Sequence, residues 1–146
     1  MVLTLSAANG DSILEAWPPA FSVPDSVPQR AREFLLQAAA SLHAPAGAVM
    51  LTASAVDAML KEKGYKDGTL NARIKTAAAD HLITSEMAEW AHEIRLDAND
   101  QRHADESVPL PNQADANRSL DFAQALAQFM FVLPARVSVG RSQMLS

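Results

Sequence analysis

The chain has no cysteine, and that single absence removes disulfides, thiolate metal sites and thiol nucleophiles together. Aromatic residues make up only 5% of it, and its five glycines are scattered, so no Gly-rich loop is available to cradle a phosphate. Gly-x-Ser-x-Gly, His-Glu-x-x-His and zinc-type spacings are also missing. No window reaches the ~18 apolar residues of a membrane span. The opening MVLTLSAANGDSILEAW lacks the basic region and long apolar stretch of a secretory signal. The expectation is therefore a cytoplasmic protein with no membrane partner, no cofactor and no metal. A surplus of basic charge is lacking too. Lys and Arg number 12 against 17 Asp and Glu, for a net charge of −5. An acidic chain is a poor non-specific binder of nucleic acid, because that binding rests on neutralising phosphates.

What is present is alanine, 28 of the 146 residues. Alanine loses no side-chain entropy in a helix and has the best helix propensity. No alternating strand pattern competes with it. At this length one core is affordable, and the predicted fold is an all-α bundle of about five helices. Residues 1–26 read as an irregular arm, rich in turn signals such as Asn9-Gly10-Asp11 and Trp17-Pro18-Pro19. Trp17, Phe21 and Val23 are its anchors, packed on the bundle. Residues 27–136 form the bundle, and 137–146 a flexible tail.

The first helix is predicted from 26–28 to about 42, capped by Ser26 or Asp25, with Ala31, Phe34, Leu35, Ala38 and Leu42 on one face. The second starts near Pro45 and ends before Gly64, a residue suited to a left-handed cap. Its inner face is Val49, Ala53, Val56 and Leu60. Asp57, Glu62, Lys61, Lys63 and Lys66 read as a solvated charged face. The third helix covers about 69–80, with Leu70, Ile74 and Ala77 inward. The fourth begins at Thr84 or Ser85 and presents Met87, Trp90, Ala91, Ile94 and Ala98. The fifth starts near Asn112, with Asp115 in a capping-box position. Between Leu120 and Leu133 its only polar residues are Asp121, Gln124 and Gln128. Such apolar girth fits a central helix or, less well, a dimer face. Pro134 is expected to stop it.

The chemistry-capable groups gather in WAHEIRLDANDQRH, residues 90–103. His92, Arg95, Asn99 and His103 recur at steps of three, four and four. On one continuous helix they fall within an arc of roughly 80°. Such a set can do acid–base work on a phosphate. A guanidinium holds phosphate oxygens and stabilises developing charge. An imidazole titrates near neutrality and takes the proton of an attacking hydroxyl. The same residues also suit a purely structural polar corner, in which Asn99 ends a helix and His103 bonds loop carbonyls. As a metal set, His92, Asn99 and His103 are weak.

The stretches VDAMLKEKG at 56–64, TLNARI at 69–74, WAHEIRLDANDQRH at 90–103 and LDFAQALAQFMFVLPARV at 120–137 resemble a bacterial family, domain-of-unknown-function family 4145. That family in turn resembles the wider HEPN group of helical bundles, many of which are metal-independent ribonucleases of defence systems with a site composed across a dimer. The resemblance implies a HEPN-like fold and places Asn99 and His103 on the group's polar residue and histidine. Where the group has an Arg directly before the polar residue, this chain has Ala98. Arg95 lies one turn earlier and Arg102 sits beside His103, neither at the matching position. Two readings follow. One is an accessory or interaction module of a defence or regulatory system, with a protein partner or a second copy. The other is a ribonuclease using Arg95, Asn99 and His103, with His92 and Arg102 as auxiliaries and RNA as substrate.

Overall fold

The computed structural model of the chain describes residues 21–94, 96, 107 and 109–145. Among these the architecture is all-α. Its elements are α1 (Gln29–Ala40), α2 (Pro45–Glu62), α3 (Leu70–Ala79), α4 (Ser85–Glu93), α5 (Gln113–Ala127), a π turn (Gln128–Val132) and α6 (Leu133–Leu145). The last three run on as one rod from Gln113 to Leu145.

Local chemistry places most of the boundaries. Pro45 occupies the first turn of α2, where its missing N–H costs nothing. Gly64 ends α2 at φ 93°, with Tyr65 N–H donating to Leu60 O at 2.9 Å and Gly64 N–H to Lys61 O at 3.0 Å. Thr69 caps α3 and Thr84 caps α4, each accepting the N–H three residues on at 3.1 Å. Asn112 and Asp115 exchange two 2.9 Å bonds in a capping box that opens α5. The first cap differs from expectation. Pro28 stands at the α1 N-cap with no side-chain bond, and Asp25 instead pairs with Arg32 at 3.4 Å.

α2 and α5 lie at the centre. α2 packs on α1, α3 and α5, while α5 packs on α1, α2 and α4. Leu35, Val56, Met59, Leu60, Ile74, Phe122, Leu126 and Met130 are fully buried between them. Trp90 of α4 meets Phe122 edge-on, centroids 5.3 Å apart at 87°. Phe21 and Val23 pack half-buried against this core; Trp17 lies outside the described residues.

Two expectations about the C-terminal rod are corrected. Pro134 does not stop the helix, and residues 137–145 are helical rather than a loose tail. A proline inside an α-helix loses the bond to residue i−4 and clashes with that carbonyl. Here the preceding turn is π-type, with Leu133 N–H donating back five residues to Gln128 O. That wider turn interrupts the i−4 ladder just where Pro134 could not have joined it. The continued rod is also long and apolar enough, by length and composition, to cross a membrane, with a third of its most apolar window buried inside the molecule. It holds no uninterrupted apolar run, because Gln124, Gln128, Pro134 and Arg136 break the stretch.

Candidate functional site

α3 and α4 form a helical pair joined at residues 80–84. His81 makes the corner at φ 63°, a left-handed conformation uncommon outside glycine. The pair encloses a groove of about 620 Å³ lined by Lys75, Ala78, Ala88, Glu89, His92 and Glu93. Its floor is alanine and its rim carries both signs of charge. His92, in the last turn of α4, is exposed there, and its Nδ1 lies 3.5 Å from Asn71 Nδ2 of α3. The groove thus offers one titratable imidazole, one ammonium and two carboxylates.

Of the residues singled out from the sequence, His92 is the one the structure describes. Arg95, Asn99, Arg102 and His103 lie outside the described residues, as does Ala98. α4 itself ends at Glu93, with Ile94 as C-cap, before the first of them. Leu96 accords with that end. Met87, Trp90, Ala91 and Ile94 fall within about 100° of arc, the face that packs on the core. On a continued helix Leu96 would point nearly opposite. It is 1% exposed, a burial that a straight continuation of α4 would not give it.

A polar cluster sits one corner earlier and includes Asp57 and Lys61, two of the residues read from the sequence as a solvated face. Asp57 of α2 accepts Lys61 Nζ at 2.8 Å and an Arg73 guanidinium nitrogen at 2.7 Å. Arg73 is buried on the inner face of α3 and also donates to Tyr65 O at 3.3 Å. Its Nε is buried with no partner among the described residues. The Tyr65 hydroxyl donates to Asp80 Oδ2 at 2.9 Å. Partial burial pushes the Asp57 carboxyl up, but the hydrogen bonds and charges of Lys61 and Arg73 outweigh it and hold the group below its ordinary 3.8. The Asp80 carboxylate, by accepting the hydrogen bond of the neutral phenol, raises Tyr65 above its ordinary 10.0. This is a lock between α2 and α3 rather than a reactive centre. One signal for it was in the sequence. Arg73 falls on the Leu70–Ile74–Ala77 face, and a charge on a buried face requires a counter-charge. Among the described residues no three His, Asp or Glu side chains gather to hold a metal ion.

The profile of a family described as "Domain of unknown function (DUF4145)" matches residues 36–145. The chain belongs to this family. No curated protein and no solved structure matches it. The DUF4145 match starts inside α1 and runs through α6, so it takes in the whole helical rod. Within the matched range the core is supplied by Val56, Met59 and Leu60 on α2, Leu70 and Ile74 on α3, and Leu120 and Phe122 on α5.

Proposed function

We propose that this DUF4145 chain is an interaction module, accessory to a bacterial defence or regulatory complex and working in the cytoplasm. The observation that supports it is α6. This helix buries none of its residues and, among the described elements, contacts only the π turn that it continues. Leu133, Val137, Val139, Met144 and Leu145 are exposed along it. Folding gains nothing from apolar side chains left in water, and such side chains kept exposed point to contacts made outside the fold. The test is affinity capture with the intact chain and with a chain ending at Val132, followed by reconstitution of the retained protein. A stoichiometric complex formed by the intact chain supports the module. Failure to reconstitute any complex with the intact chain rejects it.

His92 favours a second reading, the HEPN-type ribonuclease. It is exposed beside Lys75 in the α3–α4 groove, where an imidazole and a cation can both reach a phosphodiester. In that reading Arg95 binds phosphate, Asn99 orients, His103 is the base and Arg102 assists. RNA cleavage in EDTA, lost in His103→Ala and reduced in His92→Ala, is the expected result. Identical products from wild type and both variants reject it.

A further inference from the structure

The sequence of α6 sets Leu133, Val137, Gly140 and Met144 at steps of four, three and four, a stripe about 60° wide. Leu133 is 43% exposed, Val137 59% and Met144 86%. At Gly140 an added Cβ would meet nothing within 4 Å, so the stripe carries an open notch. Arg136 and Arg141 lie about 70° to either side of the stripe. Beyond Asp121 the sequence holds no Asp or Glu, although the whole chain carries −5. The charges that α6 itself carries are therefore cations alone, with Asp25 the carboxylate that shares a groove with Arg136.

That layout selects the occupant. In a helix pair, residues flanking the apolar seam meet the flanking residues of the partner. Two parallel copies of α6 would set Arg136 of one beside Arg141 of the other. Two antiparallel copies would set one of the arginines beside its own equivalent, the register deciding which. Cation meets cation in both, with no carboxylate in the helix to relieve it. A lipid surface asks for something else, apolar side chains gathered on one face. Here Val139 and Leu145 lie more than about 100° from the stripe on two other sides, and Val139 shares with Arg136 and Gly140 a groove against Pro24 and Asp25. A helix with an apolar seam and carboxylates on both flanks converts each repulsion into attraction.

We infer that α6 is the docking rod for an acidic amphipathic helix of another protein. The partner's apolar seam lies on Leu133, Val137 and Met144, a bulky side chain enters the notch at Gly140, and its carboxylates face Arg136 and Arg141. This rests on the interaction-module reading and names the chemistry of the partner.

The test uses the full chain and two synthetic helical peptides with the same leucine seam, one flanked by Glu and one by Lys. Fluorescence anisotropy is expected to show the Glu peptide binding at least about tenfold tighter, the sum of several surface charge contacts. The double variant R136E/R141E, with its circular dichroism melt unchanged, is expected to reverse that preference. Equal binding of both peptides, no binding of either, or a preference indifferent to the charge reversal overturns the inference. So does an α6-dependent dimer in sedimentation, which would assign the rod to a second copy. Co-flotation of the intact chain, but not of one ending at Val132, with phosphatidylserine–phosphatidylcholine vesicles would assign it to lipid and equally overturn the inference. A reconstituted partner that binds the Val132-truncated chain as well as the intact one sinks the docking rod and leaves the module standing. Absence of any reconstituted partner sinks the module itself.

Discussion

Within one helical rod, Gln113–Ala127 buries Ala116, Ser119, Leu120, Phe122, Ala123, Leu126 and Ala127, whereas Leu133–Leu145 buries nothing. The two halves are close in length and in apolar content. What separates them is company: α5 lies against α1, α2 and α4, and α6 has passed beyond them. Apolar composition alone therefore does not say what a helix does. Where neighbours exist it produces stability, and where they are missing it leaves a surface whose use must be sought outside the fold.

The sharpest way to break this contrast is to truncate one large side chain in each half. Phe122→Ala removes a fully buried ring and its edge contact with Trp90, and is expected to cost about 3–5 kcal/mol in urea denaturation. Leu133→Ala is expected to stay within about 0.5 kcal/mol. Similar losses from both would mean that α6 belongs to the folding core after all.

The next effect concerns the helix against which α5 leans. Asp57→Ala leaves the buried Arg73 without its counter-charge and is expected to cost about 1–3 kcal/mol near neutral pH. Because the folded carboxyl titrates below its ordinary 3.8, its stabilisation is complete well above that value. It disappears as the pH falls through the lower folded value. Wild type is thus expected to lose an increment of stability in that acid range that Asp57→Ala lacks, read from denaturation midpoints at a series of pH values. Parallel curves for the two proteins would contradict the lock.

The smallest effect lies on α6 itself. Gly140→Ala meets open space and replaces the poorest non-proline helix former in a helix interior. A gain of about 0.5–1 kcal/mol in helix stability is expected, seen as a rise in ellipticity and in Tm. A loss would show that the glycine is needed for packing within the chain.

The sequence was most readable where the signal is local. Gly64, Thr69, Thr84 and the Asn112–Asp115 pair each act on neighbours within four residues, and each stands at the helix boundary read from it. Features that depend on distant partners were harder. Arg73 needed Asp57, sixteen positions away, to explain a charge on an inner face. The candidate site depended on a helix running on past Ile94, and periodicity encouraged that, since Ala98 continues the face of Trp90 and Ile94. Leu96 lies off that face, and one off-face leucine weighs little in a pattern even though it is buried. His92 is thus placed, while Arg95, Asn99, Arg102 and His103 lie outside the described residues. Pro134 misled for a related reason. A proline rule assumes a regular ladder behind it, and here the ladder has a π turn.

That π turn also fixes an azimuth. Each residue advances a helix by about 100°, so deleting one residue from 128–132 and closing the rod as plain α-helix would swing the downstream side chains around by about that angle. Pro134 would then fall inside a regular helix, at a cost of roughly 3 kcal/mol. The proline and the wide turn therefore hold each other in place. Together they work as a detent that keeps the far end of the rod aimed in one compass direction relative to the body.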